Sequence, residues 1–264
     1  MKFRAKKYLG QHFLTGPGIA QEIAESLTCH NGCTTVLEIG PGTGALTRPL
    51  LNRGDLDLHV IELDEESVEY LITEDIMPSS KVYGVDVLNW NPDIAFPEGA
   101  RFIVAGNFPY NISSQILFQV LDWRDRVPEV VGMFQKEVAE RVAEGPGTKK
   151  YGILSVLLQT YYDIEYLFTV DADAFEPPPK VKSGVIRLTR NEMVDPGCTF
   201  LELKRVVKAS FNQRRKTLRN ALTNAGFEKD LIPEEFAAMR AEQLSVVQFH
   251  ELTKALLSKP STIL

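Results

Sequence analysis

The sequence predicts an α/β fold in which a doubly wound, mostly parallel sheet is followed by a small all-helical domain. Up to residue 190, short β-branched segments alternate with segments of helical periodicity. This alternation is typical of parallel strands that are connected by helices. Beyond residue 190 the apolar residues recur only at helical spacing, which indicates a change of domain.

Five segments predict the parallel strands: TTVLEIG (34–40), LHVIELD (58–64), KVYGVDV (81–87), RFIVAG (101–106) and VVGMFQ (130–135). Segments of helical periodicity between them predict helices over residues 45–54, 65–75 and 113–123. The segments at 155–170 and 183–190 predict one more helix and an antiparallel pair of strands. The prolines at 177–179 predict an extended loop between these two strands.

The segment NEMVDPGC (191–198) predicts a linker, and we place a domain boundary near residue 191. Four amphipathic patterns follow it, and each predicts a helix: residues 200–211, 213–226, 233–244 and 246–257. The predicted domains are therefore residues 1–190 and residues 191–264.

Composition limits the class of protein. The chain has 264 residues and 44% hydrophobic content, which suits one large α/β domain and a smaller one without disulfides. Three cysteines without C-x-x-C spacing predict neither a disulfide framework nor a structural metal site. No apolar run reaches the roughly 18 residues of a membrane span, and no signal peptide is recognisable. We expect a cytoplasmic monomer with no metal and no membrane partner.

The net charge of −6 hides a strongly uneven distribution. Residues 1–15 carry four Lys or Arg and no acid, whereas residues 55–75 carry nine acids and no Lys or Arg. Residues 199–220 carry seven Lys or Arg against one acid. Because RNA binding depends on the local electrostatic potential, the two basic regions are compatible with an RNA-facing surface despite the negative net charge. Solvated charge on unrelated surfaces is the alternative interpretation.

A glycine turn follows the first predicted strand. VLEIGPGTGALT places Gly40, Gly42 and Gly44 where the strand leads into a helix, which is where open α/β sheets bind ligands. Glu62 ends the second strand, in position to accept hydrogen bonds from ribose hydroxyls. These features predict a nucleoside cofactor, and they fit both dinucleotides and S-adenosylmethionine.

Polar residues also end the next two strands. Asp86 is placed to accept a hydrogen bond from an adenine amine, and Asn107 ends the fourth strand. A row of polar strand ends is the arrangement found in S-adenosylmethionine-dependent methyltransferases. Taken alone, Asp86 is equally well interpreted as a turn residue.

The motif NFPY, residues 107–110, predicts the binding site of an exocyclic amine on an aromatic base. Such an amine is a poor nucleophile because its lone pair is delocalised into the ring. Asn107 offers one carbonyl acceptor, and the backbone of Phe108 or Pro109 offers a second. Tyr110 can stack on the base. The alternative is a proline turn whose aromatic residues pack into the core.

Six motifs, taken in order, resemble one family. QHFL, EIGPGTGALT, IELD, GNFPYNIS, FEPPPKV and FNQRRKTLRNAL resemble the KsgA-type small-subunit ribosomal RNA adenine dimethyltransferases, from Lys6 to about Leu256. The resemblance implies a Rossmann-like methyltransferase domain with a mostly parallel seven-stranded sheet and a helical RNA-binding domain at residues 191–264. It also implies that two adjacent adenosines near the 3′ end of small-subunit (16S) rRNA are dimethylated during ribosome biogenesis.

The resemblance assigns roles to individual residues. Asn107, Pro109 and Tyr110 hold the target base, and Phe175 is the second aromatic residue that closes over it. His12 stands where many members have Asn, and Phe108 replaces the more usual Leu. The residues placed around S-adenosylmethionine are His12, Leu14, Gly40, Gly42, Glu62, Asp86 and Asn107.

Basic residues at both ends are the predicted contacts to the rRNA of the pre-30S particle. They are Lys6, Lys7, Arg214, Arg215, Lys216 and Arg219, the last four of which we expect on one helix. Lys149 and Lys150 lie in a predicted mobile loop and are further candidates.

Three other functions are considered. The first is a large-subunit rRNA adenine dimethyltransferase of the antibiotic-resistance type, which shares the core motifs. The second is a non-catalytic ribosome-assembly or RNA-binding factor, against which the intact row of polar strand ends argues. The third is a nicotinamide-dependent dehydrogenase, which NFPY disfavours.

Overall fold

The computed structural model describes residues 5–192 and 196–257, and its backbone forms two compact units. The first unit comprises Met1–Glu140 and Asp163–Arg190, and the second comprises Arg141–Tyr162 and Asn191–Leu264. The second unit thus includes a segment that our prediction placed in the first domain. The functional division at residues 190 and 191 stays a proposal.

Seven strands form the main sheet, in the order β4-β3-β2-β5-β6-β9-β7. The pairs from β4 to β6 are parallel, and β9 runs antiparallel to β6. The predicted fold class, a mostly parallel α/β sheet with C-terminal helices, is confirmed. The strands of this sheet are β2 (Thr35–Ile39), β3 (Asp57–Ile61), β4 (Val82–Tyr83), β5 (Ile103–Asn107), β6 (Glu129–Gln135), β7 (Tyr162–Val170) and β9 (Ser183–Arg190).

A second, two-stranded sheet was not predicted. β1 (Phe13–Leu14) pairs antiparallel with β8 (Phe175–Glu176), so the N-terminal residues are fixed to a segment far along the chain. Strands of two residues carry too little periodicity to be recognised in a sequence.

The order of the main sheet explains where a ligand can bind. β2 has β3 on one side and β5 on the other, so the chain changes direction across the sheet at β2. At such a switch point the connections diverge and leave a crevice at the carboxyl ends of the strands. The strands beneath are apolar and buried, with Val36, Val60 and Ile103 fully inaccessible to solvent.

The described helices include those predicted between the strands. Their bounds are α1 (Pro17–Glu25), α2 (Thr47–Asn52), α3 (Glu65–Thr73), α4 (Ser113–Asp122), α5 (Lys136–Ala143), α6 (Ile153–Tyr161), α7 (Phe200–Asn212), α8 (Leu218–Asn224), α9 (Glu234–Ala237) and α10 (Val246–Leu257). None of the helices in the described ranges is long and apolar enough to span a bilayer.

Two C-terminal helix predictions were too long. The pattern at 213–226 becomes helical only at Leu218, because Gln213 has left the helical region with φ −120° and ψ 54° and Thr217 is extended. The pattern at 233–244 contains the short α9 and a separate 3₁₀ turn, because Arg240 is extended with φ −100° and ψ 157°.

Helix α7 of the second unit has a capped start and a buried apolar face. Thr199 caps it by accepting the amide proton of Glu202, and the Glu202 carboxylate accepts the amide proton of Thr199 at 2.8 Å. This reciprocal arrangement satisfies two of the amides that a helix start leaves unpaired. Its buried side chains, including Leu203 and Val206, supply the core of the unit.

Candidate active site

A cleft that is open to solvent lies at the carboxyl edge of the sheet, with about 1020 Å³ of space between its walls and in its mouth. The predicted cofactor residues all line it: His12, Leu14, Gly40, Gly42, Glu62, Asp86 and Asn107. Pro109 and Tyr110 line the same cleft, so the predicted base-binding and cofactor-binding residues share one space.

The glycine turn forms part of the cleft wall. Gly40 and Gly42 have φ of +70° and +53°, a region that disfavours other residues. A Cβ atom at Gly42 would lie 3.1 Å from the ring of Phe13, so a side chain there would also press on β1. The turn therefore requires glycine for both its conformation and its close packing.

Glu62 is held in one orientation. Its Oε2 accepts the amide proton of Gly42 at 3.0 Å, and its Oε1 accepts that of Asp64 at 2.9 Å. Burial raises the pKa of Glu62, although these two hydrogen bonds oppose the effect. Each carboxylate oxygen has a second lone pair, so Glu62 can still accept hydroxyl protons from a ligand.

Asp86 is both a turn residue and a cleft residue. Its Oδ1 accepts the amide proton of Leu88 at 3.0 Å, and its Oδ2 accepts a proton from Asn89 Nδ2 at 2.9 Å. The two interpretations that the sequence left open are therefore compatible.

The amide of Asn107 is oriented by the backbone of His12. Asn107 Nδ2 donates to the His12 carbonyl oxygen at 3.0 Å. Because a carbonyl can only accept, the amide nitrogen must face His12, and Oδ1 therefore lies on the opposite side of the amide group. Asn107 thus enters the site as an acceptor with a fixed direction.

Tyr110 and His12 form an aromatic wall of the cleft. Their ring centroids are 5.3 Å apart, with an interplanar angle of 31°. The Tyr110 hydroxyl is hydrogen-bonded to Ser183 Oγ, and burial raises the pKa of Tyr110. His12 Nδ1 lies 2.7 Å from the Pro177 carbonyl oxygen, so Nδ1 carries the proton of that hydrogen bond.

Phe108 lines the cleft but is buried. It is 1% exposed, and its centroid lies 4.8 Å from that of Phe134. A Cβ atom at Gly132 would come within 2.1 Å of Phe108 Cε2, and one at Gly106 within 2.9 Å of Cε1. The Phe108 ring therefore occupies a slot that these two glycines provide.

Phe175 is not one of the described residues that line the cleft, although its strand partner Leu14 is. It is 2% exposed and pairs with Leu14 across the two-stranded sheet. Phe175 and Leu14 belong to the same buried apolar cluster. Its predicted role in closing over the base stays a prediction.

The N-terminal segment (residues 5–14) is fixed to the turn after β3. Lys6 Nζ lies 2.5 Å from Asp64 Oδ1 and 3.0 Å from Glu66, and Gln11 Nε2 donates to Asp64 Oδ2 at 3.0 Å. Lys6 was predicted to contact RNA, and in the structure its ammonium group pairs with acids of its own chain. The side chain of Lys7 and residues 1–4, which include Lys2 and Arg4, lie outside the described residues.

Hydrogen bonds to Asp64 outweigh its burial. Burial alone would raise the pKa of Asp64, but Lys6, Gln11 and Ser67 all donate to the carboxylate and together lower it. Neither Gln11 nor Asp64 was predicted to have a role, although they lie within the motifs QHFL and IELD. Residues 53 positions apart give no local signal that they meet.

Glu38 also lines the cleft, although no role was predicted for it. It is 1% exposed, and its Oε2 has no hydrogen-bond partner among the described residues. The available signal was an acid inside an otherwise apolar strand, TTVLEIG. A charged residue is rarely buried so completely unless it is paired.

The basic residues of the second unit do not share one helix as predicted. Arg214, Arg215 and Lys216 lie on the turn between α7 and α8, and Arg219 lies in α8. Arg219 pairs with Glu234 at 2.5 Å. Arg215 and Lys216 are exposed, and their contribution to RNA binding stays a prediction.

Arg214 instead supports the loop at 144–152. Its Nη2 donates to the carbonyl oxygens of Thr148 and Tyr151 at 3.1 and 3.0 Å. Gly147 donates to the Glu242 carbonyl oxygen at 2.6 Å. The loop that we expected to be mobile is thus tied at several points within its own unit, while Lys149 and Lys150 are exposed on it.

Known proteins resemble this chain over nearly its whole length. Residues 2–257 match the family described as ribosomal RNA adenine dimethylase. A Cytophaga hutchinsonii protein named ribosomal RNA small subunit methyltransferase A is 52% identical over 98% of this chain and 99% of its own length. A Flavobacterium johnsoniae protein of the same name is 50% identical over 96% of each chain.

Solved structures resemble the chain over most of its length. A dimethyladenosine transferase from Plasmodium falciparum has a TM-score of 0.75 and 25% identity, covering 91% of this chain and 96% of its own. The 23S rRNA methyltransferase ErmE has a TM-score of 0.67 and 23% identity, covering 92% and 99%, and this likeness shows the fold alone. The chain belongs to the ribosomal RNA adenine dimethylase family.

Proposed function

We propose that this protein transfers methyl groups from S-adenosylmethionine to the exocyclic N6 amine of two adjacent adenosines near the 3′ end of small-subunit rRNA. The observation that carries the proposal is the fixed amide of Asn107, whose carbonyl acceptor shares one cleft with Tyr110 and the glycine turn. The names of the relatives support the small ribosomal subunit as the source of the RNA.

The chemistry of the cleft fits a cationic nucleoside. Three carboxyl groups line it, those of Glu38, Glu62 and Asp86, and none of the described lining residues is Lys or Arg. Glu62 would hold the ribose hydroxyls, and Asp86 would accept the adenine amine. When bound, S-adenosylmethionine supplies an electrophilic methyl group on a positively charged sulfur.

The target amine needs two acceptors that favour a pyramidal nitrogen. Asn107 Oδ1 supplies the first. The backbone carbonyl of Phe108 or Pro109 supplies the second, and the Pro109 carbonyl oxygen already accepts one amide proton, that of Ile112, at 3.2 Å. Tyr110 stacks on the base, a contact worth about 1–3 kcal/mol. With the amine so oriented, positioning provides most of the rate and no strong base is required.

The target adenosine must leave its stack to reach this cleft. Extrusion costs a few kcal/mol and less where the base is unpaired, which favours a loop adenosine. We infer that Arg215, Lys216, Lys149 and Lys150 contact the rRNA backbone, because they are exposed and basic. The pre-30S particle in the cytoplasm is the proposed partner, and the protein is proposed to act as a monomer.

The other functions are less well supported. A non-catalytic assembly factor would not need Glu62, Asp86 and Asn107 gathered around one cleft. A dehydrogenase would not explain NFPY beside it. A large-subunit dimethyltransferase shares the fold, but the relatives that match at about half identity are named for the small subunit.

Mass spectrometry of rRNA tests the proposal directly. Cells lacking the protein should have unmodified adenosines at the site, and a plasmid copy should restore dimethyladenosine there. A copy carrying Asn107→Ala should not restore it. Unchanged small-subunit rRNA in all three strains would reject the function.

A further inference from the structure

Tyr8 is an aromatic residue that the proposed chemistry does not use. Its side chain is 75% exposed, whereas every other Phe, Tyr or Trp side chain that the structure describes is buried or half-buried. Tyrosine is enriched at interfaces, because its ring is apolar and its hydroxyl is polar. The surroundings of Tyr8 indicate which partner its ring would meet.

The backbone of Tyr8 is held at the rim of the cleft. It lies in a 3₁₀ turn, Lys7–Leu9, and the next two residues, Leu9 and Gly10, line the cleft. Asn111, which follows NFPY and also lines the cleft, donates from Nδ2 to the Tyr8 carbonyl oxygen at 3.3 Å. The exposed ring is therefore attached beside the loop that carries the proposed base-binding residues.

Further contacts order this turn. The amide of Lys6 donates to Gln11 Oε1 at 2.9 Å, and the amide of Leu9 donates to the Lys6 carbonyl oxygen at 3.0 Å. Gly10 has φ +65°, and a Cβ atom there would lie 2.6 Å from Asn111 Oδ1, so a side chain would strain the turn and displace Asn111. Because the turn is already ordered, a ligand that stacks on its exposed ring has little backbone freedom to remove.

The proposed substrate supplies a flat group at this position. The target adenine must leave its stack to enter the cleft. Its departure exposes one face of the neighbouring base, which the RNA backbone keeps within one nucleotide of the target. Stacking on an aromatic side chain compensates for that exposure, whichever base the neighbour carries. An exposed ring at the rim of the cleft has the chemistry for this contact.

We propose that Tyr8 is a substrate-binding residue whose ring stacks on the base next to the target adenine. Asn107 and Tyr110 hold the target inside the cleft, and Tyr8 holds its neighbour at the rim. Because stacking recognises a flat face and not a base edge, this contact selects an unpaired neighbour and not a particular sequence. The inference rests on the proposed function, because it requires an adenine of the RNA to occupy the cleft.

RNA binding of the full-length protein tests this contact. A synthetic hairpin with two adjacent adenosines in its loop is compared with two versions that each lack the base of one of these adenosines. S-adenosylhomocysteine is present throughout, because it cannot donate a methyl group. By fluorescence anisotropy, Tyr8→Ala should bind the complete hairpin about five- to a hundredfold more weakly than the wild type. On the version that lacks the stacked base, the two proteins should bind alike.

Matched variants separate the aromatic ring from the rest of the side chain. Tyr8→Trp should keep the wild-type affinity, because it keeps a flat aromatic face. Tyr8→Leu should behave like Tyr8→Ala, because its side chain is apolar but cannot stack. Ile94→Ala removes an apolar side chain that is 69% exposed and does not line the cleft, and it should bind like the wild type. Thermal unfolding of each variant checks that it folds, as we expect for changes at exposed positions.

The outcomes separate this inference from the proposed function. Absence of dimethyladenosine from the rRNA would reject the function, and this inference with it. If the modification is present, the inference alone is overturned when the wild type does not bind the hairpin, or when Tyr8→Ala has the same effect on all three hairpins. Weaker binding of Tyr8→Ala to whole small subunits, with hairpin binding unchanged, would assign Tyr8 to a protein contact and would also overturn it.

Discussion

Asn107 Nδ2 donates a hydrogen bond to the carbonyl oxygen of His12 at 3.0 Å. The bond joins the end of a central strand to the N-terminal segment, across 95 positions of the chain. It fixes the direction of the amide that the proposed chemistry requires. Two substitutions of Asn107 test these properties separately: one removes the acceptor, and the other keeps an acceptor but removes the hydrogen bond that orients it.

Asn107→Ala should lower the rate of methyl transfer by at least about a hundredfold, because the amine loses an oriented acceptor. Asn107→Asp should also be impaired, because a carboxylate would face the His12 carbonyl and cannot donate to it. Single-turnover assays on small subunits, with cofactor affinity measured in parallel, provide the test. Asn52→Ala, an exposed amide on α2, is the control, and near-normal turnover of Asn107→Ala would remove Asn107 from the chemistry.

Gly132→Ala should displace the Phe108 ring, since the added Cβ would lie 2.1 Å from Cε2. We expect a loss of about 1–3 kcal/mol in unfolding free energy and a fall in activity, because Phe108 lies within NFPY. Adding Phe108→Leu should recover part of both losses by shortening the side chain. Denaturant unfolding and activity of the single and double variants measure the coupling, and strictly additive effects would contradict it.

Tyr110→Ala should reduce activity, because it removes a stacking contact worth about 1–3 kcal/mol. Tyr110→Phe should keep most of the activity, because its ring can still stack. The phenylalanine variant instead leaves Ser183 Oγ without its partner in a residue that is 0% exposed. We expect that to cost about 1–3 kcal/mol of stability, which Ser183→Ala in the same protein should largely restore. Thermal unfolding of the wild type, the two single variants and the double variant measures this. If Ser183→Ala restores no stability to Tyr110→Phe, the hydrogen bond between Tyr110 and Ser183 is wrongly assigned.

Glu38 should make the ligand-free protein less stable as pH rises. Its pKa is raised from 4.5 to about 8 on folding, so between these values the unfolded chain has lost a proton that the folded chain retains. The folded state is therefore penalised progressively as pH increases through this window, and the penalty levels off above about 8. Relative to Glu38→Gln, the wild type should lose about 1.4 kcal/mol per pH unit at most. The unfolding free energies of the two proteins are measured in urea at several pH values. An equal dependence on pH in both would contradict the burial of an ionisable Glu38.

Arg215→Glu should weaken binding to small-subunit rRNA with little effect on stability, because Arg215 is exposed. Arg214→Glu should weaken RNA binding and also loosen the loop at 144–152, since Arg214 holds two of its carbonyl oxygens. Cofactor affinity should be unchanged in both. Filter binding at several salt concentrations and hydrogen exchange of the loop distinguish the two effects, and equal exchange rates would refute the structural role of Arg214.

The sequence predicted the sheet and the row Gly40, Glu62, Asp86 and Asn107 because strand ends and glycine turns leave local patterns. It did not predict that the His12 backbone orients Asn107, because that contact depends on how two distant segments meet. The slot for the Phe108 ring could not be predicted for the same reason. Gly132 lies on another strand, and it meets Phe108 only because β5 and β6 pair. The exposed turn at 213–217 was predicted as helix because its flanking residues continue the amphipathic pattern.

Asp64 connects the N-terminal segment to Glu62. Its carboxylate accepts hydrogen bonds from Lys6 and Gln11, and its backbone amide donates one to Glu62. One short turn therefore holds the N-terminal segment in place and orients the acid that is proposed to bind the ribose. Truncation past Lys6, or a bulky affinity tag placed against it, would therefore alter nucleoside binding without touching any cleft residue. Preparations that differ only at the amino terminus should not be treated as equivalent when cofactor affinities are compared.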